Sequence, residues 1–315
     1  FAGDNPLIFM AGPLTGTIIP WSGRHCVASI SPLTGMWGES YAGGTWGREI
    51  KKAGYDGILI TGQSERLIFI TIADSHVSIN DANHLRGKDT YETETIIKRQ
   101  CGSDASVAAI GLAGENRVRF ASIMHDGKAA RAAGRCGLGA VMGSKNLKAI
   151  AVRGTRDINV AKGEEFMDMV KEFHERMKGP ASMRYRTLGT VENLNVTNEL
   201  FCLPTRNYQS SHFDQAEKIS PEEINERFVE KIIACNSCAM RCEHEAVVRE
   251  GPYKGAIARM EYDNLWALGP NCGVDRPDAI IKAAELCTYY GLDATSTGVA
   301  ISFLMEAHEK GILSH

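Results

Sequence analysis

The sequence predicts an α+β fold, with an amino-terminal mixed β-sheet domain (residues 1–155) followed by a mostly α-helical domain (residues 156–315). Three observations predict it. Short apolar runs separated by glycine-rich turns fill the first half. From about Ala161 onward the apolar residues recur at helical spacing instead. Ser220-Pro221-Glu222-Glu223 then reads as a helix start, with a hydroxyl cap, Pro at the first position and acids in the first turn.

Taken in order, residues 7–10, 57–61, 67–72, 107–110 and 148–152 read as strands, and residues 62–66 as the loop of a hairpin. Residues 89–99 read as a helix between strands, and residues 161–178, 220–233, 277–290 and 295–310 as later helices. Residues 181–215 are polar and aperiodic, so a long surface or active-site loop is expected there. The first residue is Phe rather than Met, and the last helical segment runs to His315 without a capping sequence. The chain is therefore expected to be a piece of a longer protein, lacking both ends.

Hydrophobic residues make up 43% and charged residues 23%, values typical of a soluble globular protein. A net charge of -3 offers no basic face for nucleic acid and no polybasic membrane anchor. No apolar run is long enough for a membrane span, and no secretory leader is visible. The nine cysteines do not have the spacing of a secreted disulfide framework. Three lie close together and the rest scatter, which points to a reducing, cytoplasmic setting and a cofactor.

Cys235, Cys238 and Cys242 form C-x2-C-x3-C, a spacing that can bend three thiolates toward one centre, as cubane iron–sulfur clusters require. Zinc is the rival, but its sites bring two ligand pairs or a Cys/His pair. No second C-x2-C follows, and His244 is awkwardly close to Cys242 for tetrahedral closure. The plain alternative is three reduced cysteines at a helix end. A fourth cluster ligand has to come from Cys202, Cys272 or Cys287, or from outside the chain.

Residues 134–148 (GRCGLGAVMGSKNLK) combine close-set glycines with Arg135, Lys145 and Lys148. Glycines let backbone N–H groups approach a phosphate, and cations neutralise it. The spacing fails the P-loop pattern, and a strand rather than a helix is expected to follow, which also excludes a dinucleotide fingerprint. A turn-rich connection explains the stretch equally well. Residues 12–17, 22–25, 31–35 and 43–47 repeat glycine, serine and threonine at loop positions, suited to holding a large flat polar ligand by main-chain hydrogen bonds.

These pieces occur together and in this order in the aldehyde:ferredoxin oxidoreductase family, which the chain resembles over nearly all its length. The marks are residues 12–17 (GPLTGT), 31–35 (SPLTG), 52–56 (KAGYD), 111–116 (GLAGEN), 134–150 (GRCGLGAVMGSKNLKAI), the triple cysteine, Glu261-Tyr262-Asp263 and Gly291-Leu292-Asp293. The resemblance implies tungsten, less often molybdenum, held by two pterin dithiolenes on a sheet base, with one [4Fe–4S] cluster beside it. It implies that Arg24 and the loop of Glu39, Ser40, Gly43 and Gly44 face one pterin and its phosphate. Arg135 and Cys136, with Gly137, Leu138 and Gly139, would lie near a phosphate-bridging Mg2+. Thr288, Gly291, Leu292 and Asp293 would form a further pterin motif. Cys235, Cys238 and Cys242 would ligate the cluster, with the fourth cysteine and an active-site histidine downstream of residue 315. Glu261 would lie near the metal and transfer protons.

The chain departs from the family pattern at three points. Thr288 stands where an aspartate is usual, and Ala239 where a proline is usual. Cys272 offers either a thiolate ligand for tungsten, as in ring-reducing relatives, or a buried inert thiol. The activity implied is two-electron oxidation of a small aldehyde to a carboxylate, with electrons leaving to ferredoxin or to a partner iron–sulfur subunit. A homodimer is a further expectation from the family. Two alternatives stand beside this reading: a tungsten subunit with another substrate, such as ATP-independent benzoyl-CoA reductase, and a zinc-stabilised non-catalytic binding module.

Overall fold

The computed structural model describes residues 1–128 and 130–314. It divides into two compact units. The first holds Phe1–Lys178, Ala234–Ala239 and Tyr289–Asp293. The second holds Gly179–Ile233, Met240–Thr288 and the segment from Ala294 onward.

In the first unit, β1 (Leu7–Ala11), β2 (His25–Ile30), β3 (Trp37–Ala42) and β4 (Gly57–Ile60) form an antiparallel sheet in the order β3-β2-β1-β4. Side chains alternate across it. Leu7, Phe9 and Val27 are buried, whereas Met10 and Leu59 are exposed. A six-stranded sheet follows, from β5 (Ile68–Ala73), β6 (His76–Asp81), β7 (Ser106–Ala109), β8 (Ile123–His125), β9 (Arg131–Ala133) and β10 (Leu147–Arg153), in the order β6-β5-β10-β7-β8-β9. β10 runs parallel to β5 and antiparallel to β7, so this sheet is mixed. The central position of β10 explains why it is buried from Leu147 through Val152 and apolar from Ala149 through Val152, with the charged Lys148 the exception. Leu7, Phe9, Val27 and Trp46 share one core with Ile110, Ile150 and Val152, which joins the two sheets.

Two expectations are corrected here. Residues 62–66 do not close a hairpin, because β4 pairs with β1 while β5 pairs with β10 and β6. The hairpin is β5–β6, turning at Asp74 in a left-handed conformation (φ 50). The glycine-rich stretch likewise does not run straight into a strand. Cys136 (φ 69) and Gly137 (φ 71) turn the chain left-handed into a short buried helix, residues 138–144, before β10 begins. The glycines hid that helix, because they are poor helix formers. They are required by packing: a Cβ on Gly139 would meet Ser122 O at 2.4 Å, and one on Gly143 would meet Gly114 O at 1.9 Å.

The helices of this unit are α1 (Trp46–Lys52), α2 (Thr90–Cys101), α3 (Leu112–Glu115), α4 (Leu138–Ser144) and α5 (Gly163–Met177). Asp89 and Glu92 close a capping box on α2.

The second unit contains α6 (Met183–Leu188), α7 (Asn193–Glu199), α8 (Pro221–Arg227), α9 (Tyr262–Leu268), most of α10 (Pro277–Tyr290) and α11 (Ala294–Glu309). A three-stranded antiparallel sheet, β11 (Val229–Ile233), β12 (Glu243–Val247) and β13 (Ile257–Met260), accompanies them. The helix expected over residues 220–233 is thus split. Ser220 caps α8 as its sequence suggests, accepting from Glu223 N at 3.2 Å, but α8 ends at Arg227 and Val229–Ile233 pair with β12. Val and Ile fit a strand better than a helix once a partner strand is present. Residues 181–215 are not one irregular loop either, since they contain α6 and α7. Helices of six and seven residues are too short to display a period in sequence.

Candidate functional site

Within the first unit the fold gathers residues that are far apart in sequence. Arg135 N donates to Ser40 Oγ (3.2 Å), and Ser31 Oγ donates to Cys136 O (2.8 Å), which lays the glycine-rich turn against β3. Arg135, largely exposed, reaches Asp293 at 3.6 Å. Asp293 N donates to Phe120 O, Ser122 N donates to Gly291 O, and Leu292 bridges Ala121. A Cβ on Gly137 would lie 1.9 Å from Arg119 O. Gly137 and Gly139 therefore serve close packing against residues 119–122, the same segment that holds Gly291–Asp293. Leu138 points into the core and is fully buried. Glu39 lies on the exposed face of β3, accepting from Trp37 Nε1 (2.8 Å) and Tyr41 OH (2.6 Å). These hydrogen bonds hold its carboxyl below the usual range. Arg24 is exposed, and its carbonyl accepts from Thr15 Oγ1 (2.8 Å) in the adjoining glycine-threonine loop.

The cysteine loop starts in the same unit. Cys238 N donates to Cys235 O (3.1 Å), closing a tight turn. Ser237 (φ 55) and Arg241 (φ 49), each immediately before a cysteine, are left-handed, a conformation unusual for these residue types. Asn236 N donates to Gly44 O (3.4 Å) and Asn236 Nδ2 to Thr17 O (3.1 Å), so the loop is pinned to the glycine loops after β1 and β3. Gly43 is needed there: a Cβ on it would sit 2.6 Å from Cys235 Sγ. Arg131 Nη2 donates to that sulfur at 3.4 Å. Cys242 belongs to the second unit. Among the described residues no three His, Cys, Asp or Glu side chains surround a single ion position. The turn, the left-handed residues and the Cβ-free seat for a sulfur fit a ligand loop for an iron–sulfur group.

Sequence reasoning missed Arg131 and its surroundings. Asp126 accepts from Thr45 N (2.9 Å) and Thr45 Oγ1 (2.5 Å), and it occupies the place where Gly44 would carry a Cβ. Burial works against its charge, yet His125 and the Thr45 donors hold Asp126 well below the usual carboxylate range. The His25 ring lies tilted between those of Trp46 (centroids 4.9 Å apart) and His125 (5.1 Å). Burial, helped by His125 and opposed by Asp126, pushes His25 down to about 3 from 6.5. The unfolded chain then binds more protons between those values, so stability falls as pH drops through that window. His25→Phe is expected to flatten the pH dependence of thermal melts between about pH 7 and 4. A slope equal to that of the unsubstituted protein would show that His25 titrates normally.

In the second unit, Glu261 is the N-cap of α9 and closes a capping box with Asn264. Its Oε2 accepts from Thr190 Oγ1. Thr288 Oγ1 donates to Ala284 O (3.1 Å) within its own helix. His244 is buried, with Nδ1 against Asn225 Oδ1 (2.7 Å) and Nε2 without a hydrogen-bond partner. Cys272 is buried, its Sγ donating to Ala267 O and Gly298 O, both at 3.3 Å. Burial pushes its thiol up to about 11, so without a bound metal it is a poor nucleophile. Iodoacetamide at pH 8 is expected to label exposed Cys202 at least about a hundredfold faster than Cys272 in the native protein, read by peptide mass spectrometry. Equal labelling would overturn this. A cavity of about 110 Å³ beside Cys272 is lined by Arg206, Asn271, Ser302 and Glu306. Arg206, Asn207 and Tyr208 are all left-handed there, held by bonds from Arg206 N to Pro270 O and from Asn207 N to Asn271 O.

The family follows from both halves of the chain. The model of the aldehyde ferredoxin oxidoreductase N-terminal domain matches residues 1–154. The model of domains 2 and 3 of the same enzymes matches residues 168–315. The chain belongs to the aldehyde ferredoxin oxidoreductase family. It is 42% identical over 314 residues to a tungsten-containing aldehyde ferredoxin oxidoreductase of Thermococcus kodakarensis, covering 99% of this chain and 51% of that protein. To the Pyrococcus furiosus protein of the same description it is 41% identical over 311 residues, covering 98% and 51%. The chain thus spans about half the length of these relatives. Among solved structures, the active site complex BamBC of benzoyl-coenzyme A reductase, bound to 1,5-dienoyl-CoA, aligns with a TM-score of 0.84 and 33% identity, over 98% of this chain and 48% of that one.

Proposed function

We propose that the chain forms the pterin- and cluster-binding part of a tungsten, or molybdenum, oxidoreductase that converts aldehydes to carboxylic acids. The observation that supports it most is the assembly, in one unit, of β3, the Arg135–Asp293 pair and the Cys235–Cys238 turn. The bis-pterin metal centre supplies the two-electron chemistry when bound, as aldehyde and water become carboxylic acid with release of two protons and two electrons. The chain's own residues hold and orient it. Glycine loops would offer backbone N–H groups, Arg135 and Arg24 would neutralise phosphate together with Mg2+, and Cys235, Cys238 and Cys242 would hold a [4Fe–4S] cluster. Glu261, fixed by α9 and Thr190, is the proposed proton acceptor. Electrons pass one at a time to ferredoxin or an iron–sulfur subunit in the cytoplasm.

A second reading, ring reduction of an aromatic thioester, is favoured by the likeness to the benzoyl-coenzyme A reductase complex. Cys272, buried with its Sγ 3.3 Å from both Ala267 O and Gly298 O, is the thiol that would have to lose its proton to ligate a metal in such a reaction. Elemental analysis of the anaerobically purified full-length protein, with an aldehyde-dependent viologen assay, tests the main reading. About four irons and about one tungsten per chain are expected for a cubane cluster and a mononuclear centre. Zinc alone, with no iron and no pterin fluorescence after oxidation, would replace it with the zinc-stabilised binding module.

A further inference from the structure

We propose that Arg131 is a positioning residue for the iron–sulfur site, donating a charged N–H···S hydrogen bond to Cys235 that raises the cluster's reduction potential. The inference rests on the cysteine loop being the cluster ligand loop. Arg131 Nη2 lies 3.4 Å from Cys235 Sγ. The sulfur is located without help from Arg131, by its seat over Gly43 and by the two bonds of Asn236 to Gly44 and Thr17. The guanidinium is located independently as well. Arg131 begins β9, in register with His125 of β8. The turn joining the two strands is tied on one side by Asp126 to Thr45, and on the other by Gly127 N to Glu94 Oε2 (2.8 Å) on α2. Two separately anchored groups therefore meet, which is the arrangement needed to hold a specific contact rather than a chance one.

The charges around the contact decide its effect. Arginine stays protonated at every working pH. His25, behind the same loop, is kept neutral by burial, and Asp126 is the carboxylate in this surrounding. Asp126 accepts from two Thr45 donors and lies against His125, and Arg131 Nη2 points a donor at the sulfur itself. On reduction the cluster gains one electron, and no bond to carbon forms or breaks. A cationic donor stabilises the more negative, reduced state more than the oxidised one, and it does so strongly where water is partly excluded. Arg131 thus sets how readily the cluster accepts an electron.

The test is an EPR-monitored redox titration of the full-length, anaerobically purified protein with Arg131→Met and Arg131→Lys, and Lys171→Met as a control cation exposed on α5. Arg131→Met is expected to raise the oxidised-to-reduced ratio at a fixed solution potential about tenfold, ~59 mV for a one-electron couple. Arg131→Lys is expected to recover part of that shift through its charge, and Lys171→Met to leave the midpoint unchanged. A midpoint unmoved in Arg131→Met with iron content intact would overturn the proposal. If Arg131→Met fails to retain iron, Arg131→Lys decides: a midpoint identical to that of the unsubstituted protein overturns it. Absence of iron from the unsubstituted protein would instead sink the cluster reading itself.

Discussion

Gly43→Ala is expected to strip the iron site while the fold survives. The residue follows β3, and its ideal Cβ would lie 2.6 Å from Cys235 Sγ, with Arg131 Nε next at 3.6 Å. Gly43 does not have a positive φ, so alanine adds no backbone strain there, and the conflict is with the sulfur. That sulfur cannot simply swing aside and still ligate, because Asn236 pins the loop on the same side through Gly44 and Thr17. One methyl group therefore competes directly with the ligand position. Iron is expected to fall from about four to below about one per chain, since a cubane that loses a thiolate is poorly held. The melting temperature should drop by only a few degrees, in line with ~1 kcal/mol for a local overpacking in a loop. Iron retained in full, with an unchanged cluster spectrum, would show that Cys235 does not use this seat as a ligand. Gly44→Ala makes a contrasting case. Its φ is +86 and its Cβ would fall 1.8 Å from Asp126 Oδ2, so both strain and the Asp126–Thr45 anchor are at stake, and stability should suffer along with the metal.

What the sequence made legible depends on how far each signal reaches along the chain. β10 could be read because a buried strand writes its burial into consecutive apolar residues, Ala149 to Val152, and β5 because its short run is apolar and β-branched although only Phe69 and Ile72 are buried. The cysteine loop could be read because three thiols within eight residues need no tertiary contact to be noticed. Arg131 could not be read. It lies 104 residues from Cys235, and it is brought there by β8 and β9, strands of three residues each, too short to show alternation. His25 and Asp126 escaped for the same reason: their meaning lies in the order of strands across two sheets. Leu138 shows a different limit. It stands among residues with phosphate-binding character in sequence, but its side chain fills the core, and only the turn before it, Cys136–Gly137, is shaped for close approach. Arg135 and Asp293 were each singled out, and the fold supplies the link between them through residues 119–122. A motif therefore announces residue types, while the connection between motifs is carried by packing glycines such as Gly137 and Gly139.

The largest stability effect is expected at Glu115. Lys148 sits in the middle of the six-stranded sheet with a fully buried side chain. Its ammonium donates to Lys88 O (2.7 Å) and forms an ion pair with Glu115 at the end of α3. Glu115 also accepts from Gly87 N through both carboxylate oxygens (3.2 and 3.0 Å). The pair thus ties β10, α3 and the turn before α2. Burial lowers the Lys148 pKa, with Glu115 opposing that shift, so the charge persists because its partner is present. Glu115→Ala leaves the ammonium buried and unmatched and frees Gly87 N. A loss of about 3–5 kcal/mol is expected, as for other buried pairs broken on one side. Lys148→Met removes the buried charge and keeps an apolar side chain of similar length in its place. Its cost is expected to be clearly smaller, since a hydrophobic replacement of a buried ion is often close to neutral. Because the folded Lys148 binds its proton less tightly than the unfolded one, stability should rise with pH in the interval just below 10.5, and Lys148→Met should lack that rise. Urea unfolding of both variants between about pH 7 and 10 measures all three effects. If Glu115→Ala and Lys148→Met lose the same free energy, the ion pair is not what holds these elements together, and the buried ammonium must be satisfied by the Lys88 carbonyl alone.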